Sequence, residues 1–238
     1  MLKIKYLPLI VLALTFTAIS TVNELAPPIV FAIEKKVTIV EGMTVKEISN
    51  LLISNGILQK ELPANSEGYL FPDTYNFFAP SSRELVLEKF VGNLNAKVGP
   101  IIPPGGNIKD ILTVASLIEK EVPNSSDRRI VSGIIWKKLK NGSALYIDYS
   151  ICYVLPKPCH PITKDNLQIK SPYNTYLNLG LPPTPIGNPG LDAINAALHP
   201  QLSDYWYYLT DPETGRAVFS RDLDEHNKQV YTYLKSNN

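Results

Sequence analysis

Apolar residues recur at helical spacing over several stretches of the chain. The clearest stretch runs from Asn107 to Val122, where Ile, Leu, Ala and Val side chains return every three or four residues. Pro123 and the polar residues after it end this helix, and a second helix is predicted from Asp127 to Lys140. The same pattern predicts two shorter helices, Leu191 to Leu198 and Asp222 to Lys235.

Strand patterns appear at both ends of this helical region. Val37 to Val40 is β-branched and predicts a short strand, and Thr44 to Glu47 has the form of a capping box that starts a helix ending at Gly56. Tyr205 to Leu209 and Arg216 to Ser220 flank a turn and predict a hairpin. Glu67 to Phe78 is aromatic and interrupted by Pro72, so we expect a strand edge or a packed loop. Together these elements predict an α+β fold.

The composition favours a folded, nearly neutral protein. Of 238 residues, 45% are hydrophobic and 19% are charged, and the net charge is +1. A nucleic-acid partner is not expected, because such proteins carry a strong basic stripe. Cys152 and Cys159 have six residues between them, and they could close a disulfide loop or remain free thiols. No zinc-binding or HExxH pattern is present, so no metal site is predicted.

The first 32 residues have the pattern of an export segment. Lys3 and Lys5 precede an uncharged run of 17 residues, Tyr6 to Val22, which is close to the minimum for crossing a bilayer. A signal peptidase could instead cut after Val30 to Ala32. An uncleaved single-pass anchor and a cleaved signal both place the rest of the chain outside the cytoplasm.

One carboxylate of the 107–122 helix falls on its apolar stripe. Glu119 lies seven residues after Leu112 and four after Ala115, whereas Glu121 falls on the polar side beside Lys120. Burial raises the pKa of a carboxyl group, which could then donate a proton near neutral pH. The alternative is that Glu119 pairs with an arginine or caps a loop.

Six short motifs occur in an order and at a spacing that resemble the MltG (YceG-like) endolytic murein transglycosylases. The resemblance extends from Val37 to the C-terminus. The motifs are Glu67 to Tyr75 (EGYLFPDTY), Ala115 to Glu121 (ASLIEKE), Tyr173 to Tyr176 (YNTY), Gly180 to Pro183 (GLPP), Asn188 to Gly190 (NPG) and Glu225 to Asn227 (EHN).

The resemblance implies three regions and a set of site residues. The regions are a membrane anchor or signal segment over 1–32, an abbreviated LysM-like module over 33–62 and a catalytic domain over 63–238. Within the ASLIEKE motif, Glu119 best matches the catalytic glutamate, and Glu121 is the alternative. The substrate-binding residues implied or suggested by the motifs are Glu67, Asp148, Tyr173, Asn174, Thr175 and Tyr176. The Tyr149-Ser150 pair after Asp148 departs from the usual Pro-Thr.

The implied activity is non-hydrolytic cleavage of peptidoglycan between N-acetylmuramic acid and N-acetylglucosamine, leaving 1,6-anhydro ends. This chemistry uses one acid/base and needs no cofactor or metal. The family also suggests the bacterial plasma membrane as location and penicillin-binding proteins as partners. Two alternatives stay open: a muramidase-type hydrolase, with Asp148 or Glu67 as its second carboxylate, and a non-catalytic peptidoglycan-binding scaffold.

Overall fold

The computed structural model describes residues 33–159 and 162–235. The expected export segment and its cleavage site lie outside these residues. Within the described residues, no helix has the length and apolar character needed to cross a membrane. Residues 33 onward form one compact unit of helices and two small sheets, in agreement with the predicted α+β class.

The N-terminal half is built on an antiparallel strand pair. Strand β1, Ile33–Thr38, pairs with β2, Thr74–Ala79, so that Val37 lies opposite Tyr75. β1 therefore ends at Thr38, before most of the predicted Val37 to Val40 strand. Helix α1, Val45–Ser54, follows a complete capping box at Thr44, as its sequence predicts.

A first hydrophobic cluster joins this strand pair to two helices. α1 contributes Ile48 and Leu52, and helix α2, Arg83–Val98, contributes Val86 and Phe90. The N-cap of α2 is Ser82, whose hydroxyl accepts the amide of Leu85. The cluster extends well past residue 62, so the expected module boundary falls inside a shared core.

A second, larger cluster surrounds helix α3, Ile108–Glu121. Asn107 caps its start, and the backbone leaves the helix at Val122, within one residue of the predicted bounds. Helices α4, Ser125–Lys140, and α6, Leu191–Leu198, pack against it. In the sequence, the short helix α5, Asp148–Cys152, lies between α4 and α6.

The C-terminal part forms the expected hairpin and helix. Strand β3, Tyr207–Thr210, pairs with β4, Ala217–Ser220, and Tyr208 lies opposite Phe219. Helix α7, Leu223–Val230, begins at Asp222 and continues into a π-helical turn, Tyr231–Lys235. In the part of the chain that the structure describes, three single 3-10 turns complete the elements: Ala64–Ser66, Gly99–Ile101 and Asn166–Gln168.

Candidate active site

Helix α3 is buried on every side over two turns. All residues from Ile111 to Ile118 are buried, including the polar Thr113 and Ser116. The hydroxyl of Thr113 donates to the Lys109 carbonyl and that of Ser116 to the Thr113 carbonyl, so neither is left unpaired. Neighbouring elements cover this part of α3 on all sides. The apolar stripe therefore does not tell which residues at the end of α3 face the core and which face solvent.

Glu119 is buried in an ion pair. Its Oε1 accepts from the Arg128 guanidinium of α4 at 2.7 Å, and the two side chains are only 7% and 8% exposed. Its Oε2 accepts the amide of Gly190, the N-cap residue of α6, at 3.0 Å. The stripe correctly predicted burial. However, both oxygens are engaged in joining α3 to α4 and α6, so the proton-donor environment expected around Glu119 is absent.

Glu121, the last residue of α3, has the surroundings that were expected for the proton donor. Its Oε1 accepts the backbone amide of Tyr149 at 3.2 Å. The pKa of Glu121 is raised to about 8, mainly by burial and to a smaller extent by the charge of Asp148, against the lowering effect of the Tyr149 amide. The expectation that Glu121 lies on a solvated polar face was therefore wrong. The residue follows the fully buried turns of α3 and is covered by α5.

Three further polar side chains surround this carboxyl group. Asp148 begins α5, and its Oδ1 accepts the Tyr176 hydroxyl at 2.6 Å. Tyr208 of β3 is desolvated, and burial together with the charges of Glu121 and Asp148 raises the pKa of its phenol well above 10. Tyr176 packs edge-on against Tyr146 with ring centroids 5.3 Å apart. Asp148 and Tyr176 were predicted from the sequence. Tyr208 was predicted only as part of the hairpin.

The middle of the YNTY motif holds the framework of the site. Asn174 is fully buried and donates to the carbonyls of Leu167 and Ile169. Thr175 is buried, and its hydroxyl accepts the amide of Ile147 at 2.9 Å, just before α5. These contacts fix the loop on which Tyr176 is carried. Direct binding of substrate by Asn174 and Thr175 therefore has no support in their surroundings.

The first residue of that motif, Tyr173, lies apart from Glu121. Its hydroxyl pairs with that of Thr184 at 2.8 Å, and its ring lies 4.8 Å from that of Tyr153. It belongs to the wall that carries α5 and the Cys152–Cys159 loop.

Glu67 lines a separate cavity of about 690 Å³ beside this site. It accepts the amide of Val45, the side-chain amide of Asn188 and the hydroxyl of Tyr153. Burial raises the pKa of Glu67 to about 7, although these hydrogen bonds oppose the rise. The cavity also reaches Tyr149, whose amide binds Glu121, so the two sites are neighbours.

A disulfide loop forms one wall of that cavity. The Sγ atoms of Cys152 and Cys159 lie 2.05 Å apart, so the two cysteines form a disulfide and are not free thiols. Lys157 in this loop makes an ion pair with Glu47 of α1. The loop is thereby tied at its base by the disulfide and near its tip by the ion pair.

A carboxyl group that stays protonated near neutral pH can act as a general acid. Glu121 meets this requirement, with Asp148 and two tyrosines close by. Among residues 33–159 and 162–235, no group of His, Cys, Asp and Glu side chains could hold a metal ion. Arg128, which decides the role of Glu119, was missed because it lies on the next helix and no motif marks it.

The YceG-like family matches residues 12–232, which include the whole of this site. The chain belongs to the YceG-like family. This agrees with the resemblance found in the six motifs. A YceG-like protein from Listeria monocytogenes has a similar crystal structure, with a TM-score of 0.71 and 30% identity, covering 82% of this chain and 75% of that one.

Curated relatives carry the name endolytic murein transglycosylase. The protein from Bacillus subtilis is 36% identical over 78% of this chain and 53% of its own length. The protein from Streptococcus pneumoniae D39 is 30% identical over 71% of this chain and 32% of its own length. The chain thus spans between a third and about half of the length of these relatives.

Proposed function

We propose that this YceG-like chain is a peptidoglycan lytic transglycosylase with Glu121 as its acid and base. The observation that carries the proposal is the buried Glu121 carboxyl, with its pKa raised to about 8, beside Asp148. The names of the curated relatives support murein as substrate. Glu119, the first expectation for this role, is replaced because both of its oxygens already bind Arg128 and Gly190.

The reaction needs only one carboxyl group. Protonated Glu121 donates its proton to the glycosidic oxygen between N-acetylmuramic acid and N-acetylglucosamine, and the bond from C1 to that oxygen breaks. The N-acetyl carbonyl stabilises the positive charge developing at C1, as in substrate-assisted glycosidases. The ionised Glu121 then takes the proton of the muramic C6 hydroxyl, whose oxygen attacks C1. The product is a 1,6-anhydro end, and Glu121 is protonated again.

The groups around Glu121 support both halves of this cycle. Asp148 disfavours the ionised form of Glu121 before the reaction, because a second negative charge nearby raises its pKa. The amide of Tyr149 stabilises the carboxylate once the proton has left. Tyr176 holds the Asp148 carboxylate through its hydroxyl, and its aromatic face is of the kind that stacks on sugar rings.

The same proposal covers the setting of the enzyme. The uncharged run Tyr6 to Val22 supports a single-pass anchor in the plasma membrane, with the catalytic part outside. The 33–62 segment is proposed to bind glycan as an abbreviated LysM-like module. Its hydrophobic core is continuous with α2, so it would bind as part of the whole unit. Penicillin-binding proteins are the proposed neighbours in the membrane.

A muramidase-type hydrolase is the second candidate. The nearness of Asp148 favours it, because hydrolysis through water or a covalent intermediate requires a second carboxylate beside the acid. The hydrogen bond from Tyr176 occupies one oxygen of Asp148, which leaves the other for such a role. The mass of the product decides between the two candidates.

The test is to incubate the purified full chain with glycan strands and to weigh the products. We expect 1,6-anhydro ends from the unmodified chain and none from Glu121→Gln, with Glu119→Gln as the matched variant that still forms them. Products 18 mass units heavier (one added water) would identify a hydrolase. Intact strands would leave a peptidoglycan-binding scaffold as the function.

A further inference from the structure

The cavity beside the candidate active site lies between three elements. The start of α1 forms one wall, the Cys152–Cys159 loop forms the opposite wall, and Lys120 and Glu67 line the space between them. Its volume of about 690 Å³ is within the range of small-molecule sites. Tyr149 borders the cavity and binds Glu121 through its amide, so one residue links the cavity to the acid.

The side chains of this cavity have an excess of positive charge. Lys157 and Glu47 form an ion pair and cancel each other. Although burial opposes it, hydrogen bonds from Lys157 and Thr44 lower the pKa of Glu47 to about 2, so this pair stays charged. The remaining lining cations, Lys46 and Lys120, face Glu67, which is itself partly protonated at neutral pH because its pKa is about 7. Glu47 and Glu119 also act on Lys120, but each already has a cationic partner, Lys157 and Arg128 respectively.

The side chain of Lys120 is held in place by its neighbours. A Cβ added at Gly42 or at Gly187 would lie 3.5 Å from Cε of Lys120, so its alkyl stem runs between two glycines. The residue is half-buried, and desolvation lowers the pKa of its ammonium group. Its ammonium makes no hydrogen bond or ion pair within the part of the chain that the structure describes. A positioned, partly desolvated cation without an acceptor favours binding of an anion.

We propose that this cavity binds a carboxylate of the peptide stem carried by N-acetylmuramic acid, with Lys120 as its main contact and Lys46 as a second. The inference rests on the proposed function, because it takes murein as substrate. The stem leaves the muramic sugar whose glycosidic oxygen Glu121 protonates, and Lys120 precedes Glu121 in the chain, so the first carboxylates of the stem are within reach of Lys120. The Cys152–Cys159 loop and its ion pair to α1 shape the cavity around the stem. The chain thereby distinguishes stem-bearing strands from naked glycan.

The test compares two substrates and two matched lysine variants. Glycan strands with free stems and the same strands stripped by an amidase are offered to the full chain, to Lys120→Gln and to Lys109→Gln. Lys109 is an exposed lysine at the other end of α3, and it serves as the control. On stem-bearing strands we expect Lys120→Gln to raise KM about tenfold, since loss of one charge-assisted contact has an effect of this size. On stripped strands its kinetics should match those of the unmodified chain.

A binding measurement separates this proposal from the proposed function. Strands bind to the Glu121→Gln chain without turnover, and free stem peptide should compete for binding, whereas the same peptide with amidated carboxyl groups should not. Equal losses on both substrates would assign Lys120 a structural role and overturn the proposal, as would equal competition by both peptides. Lys120-dependent binding without any strand cleavage would instead overturn the proposed function and leave the carboxylate site standing.

Discussion

Two carboxylates at the end of α3 lie two residues apart and have opposite surroundings. Glu119 faces α4 and α6, where a guanidinium and a backbone amide take up its two oxygens. Glu121 faces α5 and the hairpin. There it accepts the backbone amide of Tyr149, and the charged side chain that acts on it is the negative Asp148. Both are shielded from water, but of the two only Glu119 forms an ion pair with a cation among the described residues.

Burial alone therefore does not identify a general acid. A buried carboxylate with a cationic partner stabilises the contact between helices, whereas a buried carboxyl without one retains its proton. In this chain the partner, Arg128, also donates to the carbonyl of Val122 and to Asp192, so it joins the end of α3 to both neighbouring helices. The predictions below test this division of roles.

The largest expected effect is on the rate. Glu121→Gln removes the donated proton and should lower the rate of strand cleavage about a thousandfold, since general acid–base catalysis contributes about 10²- to 10⁴-fold. Glu119→Gln is the matched control and should stay within a few-fold of the unmodified chain at temperatures where it is folded. The measurement is the initial rate of anhydro-end formation. The reverse ranking would restore Glu119 as the acid.

The second effect is on stability. Arg128→Met leaves Glu119 buried without its cation and should lower the free energy of unfolding by about 3 kcal/mol, at the low end for a broken buried pair because the amide of Gly190 remains. Denaturant unfolding measures it. The double variant Glu119→Gln/Arg128→Met should lose less than the sum of the two single variants. Simple additivity would show that the two side chains are not coupled.

The third effect is a pH dependence that only Glu121 should produce. Its pKa is raised to about 8, so the acid is present below this value, and the rate should fall about tenfold per unit above it. The folded state holds this proton between about pH 4.5 and 8 while the unfolded state releases it. Stability from this group is thus fully present below that window and is lost as pH rises through it.

Glu67 provides the comparison for the pH measurement, because its pKa is also raised, to about 7. Glu67→Gln should remove part of the pH dependence of the free energy of unfolding. It should leave in place the fall of the cleavage rate above about pH 8, which is the upper limb of the pH–rate profile. Glu121→Gln should remove its own part of the slope. If the limb moved with Glu67→Gln instead, the acid would lie in the cavity rather than at the end of α3.

Local signals in the sequence were sufficient for most elements of the fold. The capping box at Thr44, the capping Asn107 and the proline after Val122 set the ends of α1 and α3 to within about a residue. The pairing of β1 with β2 could not be predicted, since Val37 and Tyr75 are 38 positions apart and nothing local fixes their register.

The sequence was sufficient to predict which residues form the candidate site, but not which role each of them has. The motifs marked Glu121 and Tyr176 as candidates, the family resemblance added Asp148, and the structure brings all three together. The choice between Glu119 and Glu121 depended on a helical wheel, which assumes one buried face. α3 violates that assumption because it is surrounded from Ile111 to Ile118, and the position of Arg128 depends on the turn between α3 and α4.

The smallest expected effect comes from the charge beside the acid. Asp148 raises the pKa of Glu121 by electrostatic repulsion, but less than burial does, so Asp148→Asn should move the upper limb of the rate to lower pH by only a fraction of the total rise. Asn can still accept the Tyr176 hydroxyl, so the arrangement of the site is kept. Tyr176→Phe removes that hydrogen bond but leaves the charge, and it should leave the limb where it is. A limb that moves with Tyr176→Phe and not with Asp148→Asn would show that hydrogen bonding rather than repulsion sets the acidity of Glu121.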